Sequence, residues 1–269
     1  MDKKITINKE RCIRCGLCIQ DCITGCLEFD EGCFPKYKNG GSNKCIACQH
    51  CMAICPKGAL AFGSRNPDDS DKVIYGNSEE LLGIIKSRRS TREYKSENIP
   101  KEKLEKIKRM LSYAPTGGNS NDLHFSIVET KDMMDEIRKL TYKKGAKMTD
   151  TPPILHIASE EYKSGKDTIY RGATAMVAVA IDKSRAFVGC ETVDPIIALS
   201  YLELYAHSLG IGTLWCDFAL MALEHVPEAY DLLKIPKEYT LSYVMLMGVP
   251  AIKYQRTTQP ESFSIKSIR

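Results

Sequence analysis

Beyond residue 79, hydrophobic and polar positions alternate with helical and strand periods in turn. Glu79-Glu80-Leu81-Leu82-Gly83-Ile84-Ile85 has the spacing of a helix, as does Pro100 to Leu111, where proline suits the first turn. Leu123 to Glu129 alternates as a strand, Lys131 to Met148 reads as a basic amphipathic helix, and Pro152-Pro153 opens another helix. Ala173 to Ile181 is an unbroken apolar run of strand length, the pattern of a buried strand. Asp194-Pro195 is expected to cap a long apolar helix reaching Leu209, and Tyr239 to Gly248 forms the last long strand. This order predicts an α+β domain with a mainly antiparallel sheet rather than a βαβ series. No G-x-G-x-x-G follows a strand, so a Rossmann reading fails.

Composition adds a boundary. With 43% hydrophobic and 27% charged residues the 269-residue chain is globular in type, and its formal net charge of +4 is too mild and too evenly spread to point to nucleic acid or an anionic membrane. No apolar run reaches the length of a membrane span, and the opening Met1-Asp2-Lys3-Lys4-Ile5-Thr6-Ile7-Asn8 lacks the apolar core of a secretion signal, so a cytoplasmic location is expected. The cysteines are lopsided: ten of the twelve lie within the first 55 residues, and only Cys190 and Cys216 follow. In a reducing compartment such density points to metal or redox chemistry rather than disulfides. The polar stretch Gly63-Ser64-Arg65-Asn66-Pro67-Asp68-Asp69-Ser70-Asp71 reads as a linker. These features predict a small module at 1–63, a linker at 64–78 and a larger domain at 79–269.

The small module is an internal repeat. Cys12, Cys15, Cys18 and Cys22 recur 33 residues later as Cys45, Cys48, Cys51 and Cys55, and Ile13/Ile46, Gly25/Gly58, Leu27/Leu60 and Phe29/Phe62 keep the same offset. Each half is C-x2-C-x2-C-x3-C, and the second ends Cys55-Pro56. The pattern resembles the two-cluster bacterial ferredoxins, in which three cysteines of a run hold one [4Fe–4S] cluster and the fourth ligates the other. A tight loop aims three thiolates at one cubane before the chain leaves in a short helix. By that logic Cys12, Cys15, Cys18 and Cys55 bind one cluster, and Cys45, Cys48, Cys51 and Cys22 bind the second. Zinc sites built of two C-x2-C pairs would leave cysteines over. Ile23 departs from the resemblance by standing where proline is usual, and Cys26, aligned with Ala59, reads as a small buried residue rather than a ligand. Nine Lys/Arg against six Asp/Glu give residues 1–63 a net +3, unlike the acidic free carriers, so the clusters are expected to serve the attached domain.

In the larger domain, Arg88-Arg89-Ser90-Thr91-Arg92 gathers three guanidiniums and two hydroxyls suited to a phosphate, and Ala114-Pro115-Thr116-Gly117-Gly118-Asn119-Ser120-Asn121 is a loop of small residues able to approach a planar ring. Together with Gly210-Ile211-Gly212-Thr213-Leu214-Trp215 and Gly248-Val249-Pro250 followed by Lys253 and Arg256, these stretches resemble the nitroreductase family of FMN enzymes over essentially residues 79–269. The resemblance implies a nitroreductase-like α+β sheet domain and a homodimer with FMN at the subunit interface. It implies that Arg88, Arg89, Ser90 and Arg92, helped by Arg256, hold the ribityl phosphate. Pro115, Thr116 and Asn119 would approach the flavin from the other subunit, and backbone around Leu214, Trp215 and Cys216 would face the isoalloxazine. Asn121 and Leu123 depart from the family's glutamine and tryptophan, which alters the substrate pocket. His124, His156, His207 and His225 lie singly on apolar segments and read as satisfied core histidines.

The expected activity is an FMN-dependent oxidoreductase that reduces electron-poor organic acceptors such as nitro compounds or quinones, with electrons relayed between two [4Fe–4S] clusters and FMN. No catalytic side chain is expected, because hydride transfer from flavin needs a stacked, dry substrate rather than a nucleophile. NAD(P)H or an external ferredoxin would be the donor, and two such clusters suit an anaerobic setting. The alternatives are an electron carrier or redox sensor, or a flavin enzyme of the same fold performing enone reduction or dehalogenation.

Overall fold

A computed structural model describes residues 3–148, 152–259 and 264–268. Met1 and Asp2, part of the opening segment discussed above, and Arg269, the last residue of the expected larger domain, lie outside the described residues. The chain divides into two compact units, one of Met1–Tyr75 with Gly118–Ser120 and the other of Gly76–Gly117 with Asn121–Arg269.

In the first unit, β1 (Ile5–Ile7) pairs antiparallel with β4 (Leu60–Phe62), and β2 (Leu27–Phe29) pairs antiparallel with β3 (Pro35–Tyr37). Three one-turn helices complete it: α1 (Leu17–Gln20), α2 (Gly41–Lys44) and α3 (His50–Ala53). The 33-residue offset of the sequence is carried into the backbone, since α1 and α3, and β2 and β4, are related by it. Its buried apolar cluster is small: Ala47, Met52, Leu60 and Phe62, with Ile5, Ile7 and three half-buried cysteines packed against them. A unit of this size with so little core needs a further staple to be stable by itself. Part of the stretch read as a linker is tied to this unit. Both carboxylate oxygens of Asp68 accept from the Arg11 guanidinium at 2.8 Å, and Arg65 bridges to Phe62.

The second unit is built on a four-stranded antiparallel sheet in the order β5-β6-β8-β7, formed by β5 (Leu123–Val128), β6 (Ala175–Ile181), β7 (Gly212–Trp215) and β8 (Thr240–Gly248). Its helices are α4 (Ser78–Ser87), α5 (Lys101–Leu111), α6 (Lys131–Gly145), α7 (Pro153–Lys163), α8 (Val193–Ser208), α9 (Asp217–His225) and α10 (Pro227–Asp231). Every residue of β6 is buried, which is why it reads as a continuous apolar run. Alternate side chains enter two cores. Met176 and Ala178, with Val244 and Leu246 of β8, meet Met134 and Ile137 of α6, Leu155 of α7 and Leu223 of α9. Val177 and Val179, with Met245 and Met247, meet Leu104 and Ile107 of α5 and Leu199 and Leu202 of α8. The result is a sheet covered by helices on both faces, each fully buried Leu, Ile or Met side chain contributing about 1.5–3 kcal/mol.

Three expectations shift in detail. Pro100 is the N-cap of α5 rather than a first-turn residue, and α6 stops at Gly145. Thr192 caps α8, leaving Asp194 inside the first turn with its carboxylate turned to the Gly117 amide (2.8 Å). Strand β7 and helix α10 are too short to display a period, and α9 went unread because Phe218 to Leu223 is apolar on every face. Among the described residues no helix is long and apolar enough to cross a membrane.

Candidate functional site

The basic segment after α4 is stitched to the sheet edge. The Thr91 amide donates to the Thr213 carbonyl (2.8 Å), the Lys95 amide to Val249 (2.8 Å), and the Ala251 amide to Glu93 (3.0 Å). Residues 90–95 thus run beside β7 and the segment following β8. Two glycines permit the approach. A Cβ on Gly212 would lie 2.5 Å from Thr91 Oγ1, and one on Gly248 would lie 2.6 Å from Tyr94 Cδ1. Arg88 stands 3.6 Å from the carboxylate of Glu203, which is buried on α8. Arg89 Nη2 donates to Thr258 Oγ1 (2.8 Å), and Arg92 Nη1 to the Ser90 carbonyl (3.4 Å).

Two chambers open along this seam. The first is lined by Arg89, Thr91, His207, Gly212, Lys253 and Arg256, and no Asp or Glu lines it among the described residues. His207 Nε2 lies 2.9 Å from Ser87 Oγ, and burial, followed by the charge of Arg89, lowers the His207 pKa below its ordinary 6.5. The second chamber is lined by Arg92, Arg171, Trp215, Cys216, Asp217 and Phe218, with Leu214 beside them. Leu214 and Cys216 turn their side chains into the core, so this wall is largely backbone. Burial pushes the Cys216 thiol up to about 11, and its Sγ meets the Ile169 carbonyl at 3.3 Å. Half-buried Trp215 packs edge-on to Tyr243 (5.3 Å), whose hydroxyl donates to Asp217.

Arg171 escaped the sequence reading. It has φ 55° in the turn before β6, and that turn is held by Asp167. The Asp167 carboxylate accepts from Arg138 Nε (2.7 Å), from the Tyr142 hydroxyl (2.6 Å) and from the amides of Tyr170 (2.9 Å) and Gly172 (2.7 Å). The available signal was Arg171-Gly172 directly before an apolar strand, a position where a turn residue meets the sheet edge.

The loop residues go elsewhere. Thr116 lines a third recess with Asn121 and Leu123, and its Oγ1 accepts from the Asn121 amide (3.1 Å). Pro115 is exposed, and Asn119, with φ 55°, groups with the first unit. Within one chain, Arg89 and Arg256 come together, as do Arg92, Leu214, Trp215 and Cys216, whereas Pro115, Thr116 and Asn119 line neither chamber. None of the four histidines expected in the core is fully buried: His156 is exposed on α7, and His124, His207 and His225 are half-buried, each bonded to a neighbouring side chain or carbonyl.

In the first unit, Cys12, Cys15, Cys18 and Cys55 line a single chamber whose remaining wall includes Ile7, Leu17 and Leu60. Burial raises the Cys18 thiol, with Cys55, Cys15 and Cys12 adding to the effect, and pushes the Cys51 thiol up to about 12, with Cys48 the next contributor. The two loops share a strained backbone, since Arg14 and Ala47, Gly16 and Gln49, and Gly25 and Gly58 all have positive φ at the 33-residue offset. Three of these six are not glycine, and such strain persists only where the surroundings enforce it. Among the described residues no three His, Cys, Asp or Glu side chains are drawn to one metal-ion position. A zinc ion would hold its thiolates about 2.3 Å from a single point. A cubane is a larger body with several iron positions, so its thiolates do not converge on a single point.

The Nitroreductase family matches residues 85–249. A curated protein of Methanothermobacter thermautotrophicus is 25% identical over 172 residues, 64% of this chain and 78% of its own length. One of Archaeoglobus fulgidus is 27% identical over 174 residues, 64% of this chain and 86% of its own length. Both are named for an NADH dehydrogenase/NAD(P)H nitroreductase activity. Among solved structures, a nitroreductase with bound FMN from Desulfitobacterium hafniense is similar with a TM-score of 0.58 at 25% identity, over 72% of this chain and all of that one. A Bacteroides fragilis nitroreductase has the same fold, with a TM-score of 0.58 at 24% identity over 71% of this chain and all of that one.

Proposed function

The chain belongs to the nitroreductase family, and from that premise we propose that it is an FMN-dependent oxidoreductase that reduces electron-poor organic acceptors such as nitro compounds or quinones, with NAD(P)H as donor and two [4Fe–4S] clusters exchanging electrons with the flavin. The observation that carries this reading is the chamber in which Arg89, Lys253 and Arg256 converge with no carboxylate in its lining. Three cations without an anion fit a phosphate dianion, which guanidiniums bind through paired N–H donors.

When bound, FMN supplies hydride and single-electron transfer, and each [4Fe–4S] cluster passes one electron at a time. The chain's own residues do the rest. Arg89 and Arg256, together with Lys253, would hold the phosphate end, while Arg92 lines the ring-side chamber, Arg88 faces Glu203 and Ser90 lines neither chamber. Thr91, locked on Thr213, fixes the register of that segment. Backbone at Leu214, Trp215 and Cys216 would face the ring, with the Trp215 and Phe218 side chains beside it. Pro115, Thr116 and Asn119 complete the site from a second subunit. A homodimer is supported by the apolar side chains that α8 leaves exposed (Val193, Ile196, Tyr201 and Tyr205) and by Leu81, Leu82 and Ile85 on α4. Cys12, Cys15, Cys18 and Cys55 would hold one cluster, and Cys22, Cys45, Cys48 and Cys51 the other. The scant core of the first unit supports this assignment, because the clusters would supply its missing staple.

The test is FMN content and affinity. Anaerobically purified chain is expected to carry about one FMN per subunit, and Arg89→Ala with Arg256→Ala to weaken FMN binding by tenfold or more, a cost of at least about 1.4 kcal/mol. Product analysis across nitro compounds, quinones, enones and organohalides then fixes the acceptor class. Wild-type protein that takes up no stoichiometric FMN contradicts the reading.

A further inference from the structure

The two cysteine loops are related by 33 residues, yet the fourth cysteines of the two runs have different surroundings. Cys55 Sγ accepts a hydrogen bond from the Ala59 amide (3.2 Å). Its counterpart, Cys22, is met by two side chains. The Cys26 thiol lies 3.3 Å from Cys22 Sγ, and the Thr24 hydroxyl lies 3.6 Å from it. At the matching positions the other loop has Ala59 and Lys57, neither of which offers an O–H or S–H. Cys26 is buried, so its thiol is held in place against Cys22 rather than sampling solvent.

These contacts have only one polarity once Cys22 is a thiolate ligand. A metal-bound thiolate carries no proton, so Thr24 and Cys26 must both donate and Cys22 accept. A donor aimed at ligand sulfur stabilises the more negative, reduced form of a cluster more than the oxidised form, and hydrogen bonds to sulfur are among the groups that set cluster potentials. Charges differ between the quartets as well, since the half-buried Lys3 ammonium donates to the Cys45 carbonyl (2.5 Å), and the Cys26 and Thr24 variants leave that contact in place. Arg14 and Lys57 line the chamber of Cys12, Cys15, Cys18 and Cys55, but both are exposed, and water and salt screen them.

Resting on the cluster assignment made above, we propose that Cys26 and Thr24 are positioning residues that act through Cys22 to make the two clusters inequivalent, raising the midpoint potential of the cluster held by Cys22, Cys45, Cys48 and Cys51 above that of its partner. One electron delivered to either cluster by an external reductant then settles on this one, leaving the other oxidised. The module is thereby given a direction that its repeat symmetry would otherwise deny it. Cys26, which the repeat alignment leaves as a spacer opposite Ala59, becomes the residue that breaks the symmetry.

The test is a redox titration of the anaerobic full-length protein, followed by electron paramagnetic resonance and paired with iron analysis. Wild type is expected to hold about eight iron atoms per chain and to titrate in two resolved one-electron steps. Cys26→Ala copies the residue found at 59, and Thr24→Val keeps the shape of threonine. Each is expected to lower the upper midpoint toward the other at unchanged iron content, and the double variant to lower it further. Ala59→Cys places a thiol by Cys55 and is expected to raise the lower midpoint. Midpoints unmoved by all of these at full iron content overturn the inference, as does movement of the lower step in Cys26→Ala. Loss of iron in Cys26→Ala makes Cys26 a ligand and likewise overturns it. A wild-type chain that binds no iron contradicts the cluster assignment itself, a result distinguishable from the others by the iron analysis alone.

Discussion

At the residue scale the cation chamber is governed by what its side chains lack. Arg89, Lys253 and Arg256 face no carboxylate there, and His207 cannot supply a fourth positive charge at neutral pH because burial and Arg89 hold its pKa below 6.5. The sign of its linkage follows. The unfolded chain binds a proton on this imidazole at a higher pH than the folded chain does, so folding stability falls as pH drops through about 6.5 toward the lower folded value. Above that window the group is neutral in both states and contributes no slope. Urea unfolding of wild type and His207→Gln between about pH 7.5 and 5 is expected to show a shallower loss of stability on acidification in the variant. Identical slopes would place the titrating group elsewhere.

At the element scale, the turn before β6 brings Arg171 to the second chamber, and one buried ion pair organises it. Asp167 accepts four hydrogen bonds, and the Arg138 that faces it is 7% exposed at its side chain, against 14% for Asp167. Without Asp167, Arg138 keeps Asp135 and the Ala173 carbonyl, but the Tyr142 hydroxyl and two backbone amides lose their acceptor, which together costs about 3 kcal/mol. Asp167→Ala is expected to lose about that much in denaturant unfolding. A loss below about 1 kcal/mol would show that the turn is held by packing alone.

The long periodic elements were legible because each displays one buried stripe over several turns or one buried strand: α5, α6, α8, β6 and β8 all fall close to their expected limits. Strand β7 was not, since Gly-Thr-Leu-Trp has no period to read, although its glycine is what lets Thr91 approach. Of the candidate site, the residues carried by local motifs were singled out by the sequence, and Arg89, Arg92, Trp215 and Arg256 each line a chamber. Arg171 and Asp217 were not, because their place depends on the antiparallel order β5-β6-β8-β7, which a single sequence does not disclose. The donors on Cys22 were equally hidden. Spacing marks Cys26 as surplus, and only the fold brings its sulfur within 3.3 Å of a ligand candidate.

At the scale of the whole molecule, the proposed function joins two kinds of redox site in one chain of net charge +4. A free carrier relies on a strong field to steer it to its partner, but tethering holds the partner at high effective concentration and removes that need. The central claim is therefore that electrons pass between the clusters and FMN within this chain. The most direct measurement reduces the anaerobic holoenzyme fully and stoichiometrically, adds a nitro or quinone acceptor, and follows cluster and flavin oxidation together. The Arg89→Ala, Arg256→Ala protein, depleted of FMN, is treated in parallel. The account predicts that clusters and flavin reoxidise in the holoenzyme while the clusters of the FMN-free protein stay reduced. Clusters that reoxidise equally fast without FMN, or that stay reduced while the flavin turns over, would contradict it.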